Sequence, residues 1–376
     1  MHVLHTFANN DHVPYLTWFT DRAVQEGDPT YTFLIMYPER PGIMDEMQAK
    51  GFKCEWIRYR DSHRKLDMLM ALPRLWRYMR KYRPDIVHCN LFDDAVPGLI
   101  AAKLAGVKVR VITKQDTGYH YLHATHWMAV DRFNSRMATH VLAISNESKR
   151  FLIHKEGTPE HKITLVHNGI PSEQFTRQDP VVMDRLKQRF GTANKGPIIG
   201  TVARFIEWKG YKLILAAAME LVKEHPDALF LLCGSGAEEP EIRTMIEESG
   251  LKNNVVLTGW IDRSEMASFY GLLDVYFHAA ILEPFGLVYP EAMMNSVPVV
   301  STFTGAAADA IEDGKNGILV TERTGKALAE GVERLLRSDH RSIGIAGRKT
   351  ALAMYSFDVM WQGTVDLYRN ALKPVE

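Results

Sequence analysis

The chain has 376 residues, which is more than one ordinary hydrophobic core encloses, so its length alone indicates two domains. With 46% hydrophobic residues, 24% charged residues and a formal net charge of zero, it has neither the polarity of a disordered chain nor the basic excess of a nucleic-acid-binding protein. Its three cysteines stand far apart and form no C-x-x-C pair, which argues against a disulfide framework or a zinc site.

The sequence also predicts where the protein works. No apolar run approaches the roughly 18 residues that cross a bilayer. Residues 1–7 predict a first strand and lack the basic start, apolar centre and small-residue cleavage site of a signal peptide. We therefore expect a reduced, cytoplasmic environment.

Charge is unevenly distributed along the chain. Residues 1–170 carry 23 Lys and Arg against 18 Asp and Glu, whereas residues 171–376 carry 22 against 27. Twelve of the fifteen histidines also lie in the first part. This asymmetry predicts two different surfaces and indicates an anionic partner for the first half.

Short apolar runs alternate with longer helical patterns throughout the chain. In the first half they predict strands at 1–6, 31–36, 53–57, 85–89, 109–113, 140–144 and 163–166. In the second half they predict strands at 198–202, 229–233, 255–258, 275–278, 297–301 and 317–320. Continuous apolar strands between helices are typical of parallel sheets covered on both faces, so we predict two doubly wound α/β domains.

Composition places the boundary between these domains near 170–196, a polar stretch with a short helix around 181–190. The predicted divisions are, in chain order, 1–170, 171–196, 197–355 and 356–376. The second division is a linker region. The last contains an amphipathic helix from 357 to about 372.

The segment 64–83 is strongly basic and admits two interpretations. On a helical wheel its apolar face holds Leu69, Leu72, Trp76 and Met79, and Pro73 starts or kinks the helix. In the first interpretation this face packs on the sheet of an ordinary domain. In the second, the opposite face docks on anionic lipid headgroups through Arg74, Arg77, Arg80 and Lys81.

Three histidines, His120, His123 and His126, recur every three residues. On a helix this spacing spirals and does not converge as i, i+4 ligands do, so we expect no metal site. A surface on the acceptor side is the simpler interpretation.

Arg204 and Lys209 follow a buried strand and precede a helix. Ligands bind outside the carboxyl ends of parallel strands, so the loops after residues 203, 233, 259 and 278 are candidate site loops. Two cations in such a loop can neutralise a diphosphate leaving group. The alternative is two solvated loop charges. No Asp-x-Asp motif for a metal-bridged diphosphate occurs, so we expect no metal requirement.

Gly234-Ser235-Gly236 also follows a strand, which raises the question of a dinucleotide site. Glu239 stands where the third glycine of G-x-G-x-x-G would be, so we expect no NAD. The two glycines could still let the backbone approach a different ligand closely.

Glu283 and Glu291 stand on either side of a Pro-Phe-Gly turn. Pro290 suits the first turn of a helix, whose free N–H groups near Gly286 would form an anion pocket. Two carboxylates around such a pocket suit a ligand with hydroxyls at both ends and a phosphate in the middle, the shape of a nucleotide sugar. The alternative for Glu291 is a glutamate that complements the helix dipole.

Taken in order, these motifs resemble the retaining nucleotide-sugar glycosyltransferases of family 4. The likeness is strongest over 195–325, which includes the motifs above, the segment Thr258-Gly259-Trp260-Ile261 and residues 313–320. In the first half it extends to residues 84–88, 143–145 and 166–170. The resemblance implies the GT-B fold, in which two Rossmann-like domains face a central cleft. It also implies a first domain that takes the acceptor, a second that holds the donor, and a last helix that crosses back to the first.

The resemblance implies roles for the charged residues. Arg204 and Lys209 would stabilise the leaving diphosphate. Glu291 would bind the ribose hydroxyls, and Glu283 would face the donor sugar or stabilise positive charge at its anomeric carbon.

The resemblance assigns the remaining donor contacts mainly to the backbone. N–H groups of Phe285, Gly286 and Leu287 would bind sugar hydroxyls and the distal phosphate. Gly234 would allow close approach, and the turn at Ile261 would contact the base.

The first half departs from the family at two places. Many relatives have Gly-Gly after the first strand, where this chain has Asn9-Asn10, so Asn10 is assigned to the acceptor side. Relatives often have a histidine after the strand at 109–113, where Gln115 or Asp116 stands here. Either could contact the sugar or steer the acceptor, Asp116 could accept the acceptor's proton, and His120 would lie nearby. The alternative is a strand-end loop with a helix cap.

The expected function is retaining transfer of a hexose or N-acetylhexosamine from a nucleoside-diphosphate sugar. UDP is the nucleotide expected in advance, although no residue identifies the base. The acceptor would be a carbohydrate or lipid-linked molecule in surface polysaccharide or glycolipid synthesis, and the enzyme would need no cofactor. It would be cytoplasmic and could sit peripherally on the inner membrane face. The alternatives are a GT-B epimerase or hydrolase of nucleotide sugars, and a non-catalytic nucleotide-sugar-binding partner.

Overall fold

The computed structural model describes residues 1–8, 14–115, 118, 120–121 and 124–373. Asn10, Asp116 and His123, which the sequence singled out, lie outside the described residues. The chain divides into two compact units, one of Met1–His167 with Met360–Glu376 and the other of Asn168–Val359. Within the described part of the chain, every helix is too short or too polar to cross a bilayer.

The strands of the first unit form one sheet. In chain order they are β1 (His2–Ala8), β2 (Thr30–Tyr37), β3 (Lys53–Arg58), β4 (Ile86–Cys89), β5 (Val109–Lys114), β6 (His140–Ala143) and β7 (Ile163–Leu165). Across the described sheet the order is β3-β2-β1-β4-β5-β6-β7, and all neighbours are parallel. The strand order therefore reverses between β1 and β4, where Val3 lies opposite Ile86.

Helices cover this sheet. They are α1 (Pro14–Glu26), α2 (Ile43–Ala49), α3 (Arg64–Tyr82), α4 (Phe92–Ala105), α5 (Met128–Met137) and α6 (Asn146–Phe151). Buried strand residues such as Leu4, Val87 and Val141 share one hydrophobic cluster with Leu75 of α3 and Leu99 of α4. The inner strands β1, β2 and β4 are buried along almost their whole length, as expected for a parallel sheet covered on both faces.

The second unit repeats this plan. Its strands are β8 (Ile198–Val202), β9 (Leu229–Cys233), β10 (Val255–Gly259), β11 (Val275–His278), β12 (Val299–Thr302) and β13 (Ile318–Val320). Their order in the described sheet is β10-β9-β8-β11-β12-β13, again parallel throughout. Here the strand order reverses between β8 and β11. The prediction of two doubly wound α/β sheets is confirmed, with strand ends within about two residues of those expected.

The helices of the second unit and the last helix follow the same alternation. They are α7 (Ser172–Thr176), α8 (Pro180–Phe190), α9 (Tyr211–Glu224), α10 (Glu239–Glu248), α11 (Met266–Tyr270), α12 (Val288–Met294), α13 (Gly305–Ala310), α14 (Gly325–Leu336), α15 (His340–Tyr355) and α16 (Phe357–Ala371). Ile214 and Leu221 of α9 are buried in one cluster with Phe230 and Leu328.

The polar stretch 171–196 is counted in the second unit, where α7 and α8 both pack against α11. Local signals define α8 at both ends. The Asp179 side chain accepts from the Val181 N–H at 2.8 Å, Pro180 occupies the first helical position, and Gly191 ends the helix with φ of 65°.

The prediction for the segment 64–83 is wrong about which face is buried. The buried residues include Met68, Ala71, Leu75 and Met79, whereas Leu69 is 63% exposed and Trp76 is 42% exposed. The packed face is therefore rotated by one residue, about 100° around the helix. The cause is tertiary: α3 packs against α4 as well as onto the sheet, and small residues on both helices belong to the shared cluster. Pro73 neither starts α3 nor ends it, because the helix begins at Arg64 and continues to Tyr82.

The last helix packs apolar residues into the first unit. Met360, Val365 and Leu367 are buried. Tyr368 is fully buried, and its hydroxyl lies 2.5 Å from His88 Nδ1 and 3.2 Å from His5 Nε2. The helix thus closes a polar network between β1 and β4.

Candidate active site

The residues that the sequence singled out in the second half meet at one edge of the second sheet. Arg204 and Lys209 follow β8, and Glu283 follows β11. These two strands are neighbours and mark the point where strand order reverses. Loops diverge there and leave a crevice at the carboxyl ends of the strands, which is where ligands bind in open α/β sheets.

The loops after β8 and β11 contact each other directly, which fixes their relative positions. The Ile281 N–H donates to the Trp208 carbonyl at 2.8 Å. Gly210 has φ of 74°, and a Cβ there would lie 2.0 Å from the Ala279 carbonyl oxygen. Only glycine allows this close approach, which places Lys209 beside the loop that carries Glu283.

Lys209 and Glu283 form a hydrogen-bonded ion pair, with side chains 12% and 9% exposed. His278 is fully buried, and its Nε2 lies 3.7 Å from Glu283 Oε2, beyond hydrogen-bond distance. That Nε2 atom has no hydrogen-bond partner among the described residues. Burial raises the pKa of Glu283, but His278 and Lys209 outweigh burial and hold the pKa below its ordinary value. Glu283 is therefore ionised at neutral pH.

Glu291 has a different environment in the first turn of α12, where the sequence placed it. Its carboxylate is buried and accepts a hydrogen bond from the Tyr270 hydroxyl at 2.9 Å. Burial raises the pKa of Glu291 to about 7, although Arg263 and Tyr270 act in the opposite direction. The pKa values of the two glutamates are thus shifted in opposite directions, as expected for different environments.

The turn between the two glutamates is tightly packed. Gly286 has φ of 78°, and a Cβ there would lie 2.8 Å from Tyr289 Cε2 and 2.9 Å from Glu283 Cγ. Phe285 is buried, and its ring packs edge-on against Tyr355 with centroids 5.4 Å apart. In the described structure, the N–H groups of Gly286 and Leu287 donate to no backbone carbonyl, so they remain available to a ligand.

The two remaining donor-side positions lie at neighbouring strand ends. Gly234 follows β9 and has φ of 149°, and a Cβ there would lie 2.0 Å from the Ala203 carbonyl oxygen. Its N–H donates to the Gly259 carbonyl at 3.2 Å. Ile261 is buried just after β10. Arg204 differs from these residues because its side chain is exposed and forms no ion pair within the described residues.

Gln115 and His120 belong to the first unit. Gln115 is exposed at the end of β5. His120 is buried, with Nδ1 2.7 Å from Asp131 Oδ2. His126 lies in a short turn before α5. No group of three or more His, Cys, Asp or Glu side chains among the described residues could hold a metal ion.

Sequence reasoning missed a buried charged cluster next to His120. Lys114 Nζ donates to Asp131 at 2.9 Å and to Glu156 at 3.0 Å. Burial lowers the pKa of Lys114, but the two carboxylates reverse this effect and raise it. A lysine at the end of an apolar strand was the available signal. Its partners, 17 and 42 residues away, could not be inferred from spacing.

Sequence comparison matches each half of the chain to a glycosyltransferase family model. Residues 182–350 match the family model described as glycosyl transferases group 1, and residues 30–174 match that of glycosyltransferase family 4. An alpha-monoglucosyldiacylglycerol synthase of Acholeplasma laidlawii is 25% identical over 281 residues, 70% of each chain. A capsular polysaccharide biosynthesis glycosyltransferase of Staphylococcus aureus is 26% identical over 323 residues, 82% of each chain.

Structural comparison agrees at the level of the fold. The crystal structure of Anabaena HepE in complex with UDP superposes with a TM-score of 0.82 over 98% of this chain and 100% of that one, at 21% identity. A sucrose-phosphate synthase of Thermosynechococcus elongatus superposes with a TM-score of 0.80 over 98% of both chains, at 19% identity.

Proposed function

The chain belongs to the family 4 glycosyltransferases, which have the GT-B fold, and from this premise we propose that it is a retaining hexosyltransferase. Its donor would be a UDP-hexose or UDP-N-acetylhexosamine. Its acceptor would be a carbohydrate or a lipid-linked sugar of a surface polysaccharide or glycolipid. The names of relatives in capsule and diacylglycerol glycolipid synthesis support this acceptor class.

The ion pair between Lys209 and Glu283 is the main support for the proposed donor site. A diphosphate over the Gly286 and Leu287 N–H groups would meet Lys209, and Arg204 at the end of the same strand supplies a second cation. Because Lys209 is paired with Glu283, the protein itself fixes the position of this cation. Preorganised charges of this kind stabilise a transition state without reorganisation.

The remaining donor contacts follow from position. Glu291, buried beside Tyr270, would exchange hydrogen bonds with the ribose hydroxyls. The turn at Ile261 would meet the base through main-chain atoms, and Gly234 would let the backbone approach the donor. UDP is the proposed nucleotide because structures of HepE, which has the same fold, were solved with UDP and with UDP-glucose.

We propose front-face attack as the chemical step. The bond between the anomeric carbon and the diphosphate oxygen breaks, and the acceptor hydroxyl bonds to that carbon on the same face. The acceptor's proton passes to the leaving diphosphate. Glu283 stabilises the positive charge that develops on the sugar, while Arg204 and Lys209 neutralise the diphosphate. Inverting transfer would instead need a general base on the opposite face. Gln115 or Asp116 would steer the acceptor.

We also propose peripheral attachment to an anionic membrane through α3. Its exposed apolar residues are Leu66, Leu69, Met70 and Trp76. Basic residues are interspersed with them on the exposed surface, namely Lys65, Arg74, Arg77, Arg80 and Lys81. Exposed apolar and basic side chains on one helix are typical of interfacial helices, whose apolar groups enter the headgroup boundary while the cations attract anionic lipids.

Product analysis tests the enzymatic proposal. The full chain is incubated with UDP-glucose, UDP-N-acetylglucosamine or GDP-mannose and candidate acceptors, with a Lys209→Met variant as the inactive control. Mass spectrometry should show an acceptor heavier by one sugar, and NMR should show the anomeric configuration of the donor. Free sugar, an epimerised donor or no product would instead favour the hydrolase, the epimerase or the binding partner. Activity should persist in excess EDTA, and a strict divalent-metal requirement would contradict the proposed mechanism.

A further inference from the structure

A cavity of about 240 Å³ lies inside the first unit, where β4 and β5 end. Its lining includes Phe92, Gln115, His120, Asp131 and Asn134. The cavity therefore adjoins Gln115 at the end of β5, where the sequence predicts a residue that contacts the sugar or steers the acceptor. Whole-ligand pockets typically measure roughly 300–1,000 Å³, so this cavity suits one part of a ligand.

Asn134 is the feature that points to a ligand. It lies on α5, is 0% exposed and lines the cavity. Neither its side-chain nitrogen nor its side-chain oxygen has a hydrogen-bond partner among the described residues. Buried amides are almost always satisfied, because an unpaired donor or acceptor loses its hydration without compensation. A buried, unsatisfied amide on a cavity wall is expected where a ligand completes the hydrogen bonds.

The charges around the cavity indicate what kind of ligand it takes. Lys114 is shared by Asp131 and Glu156. Asp93, which also lines the cavity, accepts from Arg64 Nε at 2.5 Å. The Lys and Asp side chains of the described lining are thus Lys114, Asp93 and Asp131, and each of them is engaged in an ion pair. Such a lining offers no excess positive charge to a phosphate or carboxylate, but it offers many acceptors to hydroxyl groups.

The cavity also has an aromatic wall. The Phe92 ring lines it and packs edge-on against His120 with centroids 4.4 Å apart. The Arg64 guanidinium lies over the Phe92 ring at 5.0 Å and over the Trp127 ring at 4.8 Å, which fixes this wall. Apolar and aromatic side chains together with a few fixed polar groups are the usual composition of a small-molecule site.

We propose that this cavity is a subsite for one uncharged sugar ring of the acceptor, and that Asn134 is its specificity-determining residue. The proposal rests on the glycosyltransferase function argued above and adds the chemical class of the group that enters the first unit. A ring hydroxyl would accept from the Asn134 side-chain nitrogen and another would donate to its oxygen. Carboxylate oxygens of Asp93 or Asp131 would receive further hydroxyls. The ring would lie against Phe92.

Ligand-detected NMR on the full chain, without any nucleotide, tests the proposal. The probes are glucose, N-acetylglucosamine and, separately, inorganic phosphate. We expect at least one sugar to bind, phosphate not to bind, and Asn134→Leu to weaken sugar binding about tenfold or more. Absence of sugar binding, equal affinity in the variant, or phosphate binding that the variant removes would overturn the proposal.

Thermal unfolding separates binding from a structural role. Asn134→Leu removes an unsatisfied buried amide, so its Tm should equal or exceed that of the wild type. Thr158→Val is the matched control, because Thr158 Oγ1 is also buried without a partner but does not line this cavity. It should leave sugar binding unchanged. If leucine overpacks the site and lowers the Tm, the smaller Asn134→Ala replaces it in the binding experiment.

The two proposals fail differently. The binding experiment contains no donor, so loss of the Asn134 effect would overturn the subsite and leave donor turnover untouched. Sugar binding that depends on Asn134, in a protein that transfers nothing from any nucleotide sugar, would support the subsite and contradict the proposed function.

Discussion

Lys209 and Glu283, 74 residues apart in the chain, form one ion pair where β8 and β11 end side by side. The two loops are hydrogen-bonded to each other through the Ile281 N–H and the Trp208 carbonyl, which places the two side chains side by side. Ion pairs of this burial are not primarily stabilising, because desolvation offsets much of their attraction. Their value here is that a cation and an ionised carboxylate stand ready beside the Gly286 turn.

Removal of one partner of this pair should damage both turnover and stability. Lys209→Met should lower kcat by about 10²–10³, the usual cost of removing one transition-state contact. It should also lower the free energy of unfolding by about 3–5 kcal/mol, because Glu283 is left buried and unpaired. Steady-state kinetics and urea unfolding measure the two effects.

The double variant Lys209→Met/Glu283→Gln separates these effects. Without the orphaned carboxylate it should recover most of the lost stability and none of the activity. Recovery of activity would contradict a role for this cation at the diphosphate.

Glu291 should make stability depend on pH. Burial raises its pKa in the folded protein to about 7, whereas an unperturbed glutamate titrates near about 4.3. The stabilisation that Glu291 contributes to the folded protein is therefore fully present below about pH 4.3 and is lost as the pH rises through about 7. Glu291→Gln, which imitates the protonated form, should gain up to about 3 kcal/mol over the wild type between pH 5 and pH 8.

Urea unfolding at several pH values measures this difference. Glu173→Gln, at an exposed glutamate in the first turn of α7, is the control and should show no such trend. Glu291→Ala should in addition weaken donor binding in calorimetry, since it removes the group proposed to hold the ribose. Unchanged donor affinity would contradict that assignment.

Tyr368 should be important for the stability of the first unit. Tyr368→Phe removes a hydroxyl that lies within hydrogen-bond distance of both His88 and His5. Because both histidines are buried, we expect a loss of about 1–3 kcal/mol in the free energy of unfolding. Tyr121→Phe is the control, because the Tyr121 hydroxyl makes a long contact of 3.3 Å in an exposed setting. A smaller effect at Tyr368 than at Tyr121 would contradict this account.

The exposed apolar side chains of α3 should contribute to membrane binding. Leu69→Gln with Trp76→Gln should reduce binding to vesicles of 30% phosphatidylserine, on the order of tenfold for two interfacial apolar residues. Replacement of Arg74, Arg77, Arg80 and Lys81 by alanine should reduce it further and abolish its salt dependence. Leu104→Gln, at an exposed leucine on α4, is the control. Binding that is equal in all variants, measured by sedimentation, would refute the proposal.

Much of the fold could be predicted because its determinants are local. Parallel strands buried on both faces give continuous apolar runs, and Asp179, Pro180 and Gly191 mark the ends of α8 without help from the rest of the chain. The donor-side residues were also accessible, since strand ends in a doubly wound sheet meet at a known edge.

What the sequence could not provide were relationships between distant residues. The burial of Met68 and Leu75 in place of Leu69 and Trp76 depends on how α3 packs on α4. The pKa values of Glu283 and Glu291 depend first on burial and then on neighbours distant in the chain, His278 and Lys209 for Glu283 and Arg263 and Tyr270 for Glu291. None of these contacts leaves a periodic or spaced signal.

The membership of residues 360–373 in the first unit has a consequence for synthesis on the ribosome. Residues 168–359 must be translated before the helix that covers His5 and His88 exists. At about 5–20 residues per second, the first sheet waits roughly 10–40 s with Phe19 and Tyr31 unshielded by Trp361. We therefore expect the first unit to complete its packing only after the last helix has emerged from the ribosome.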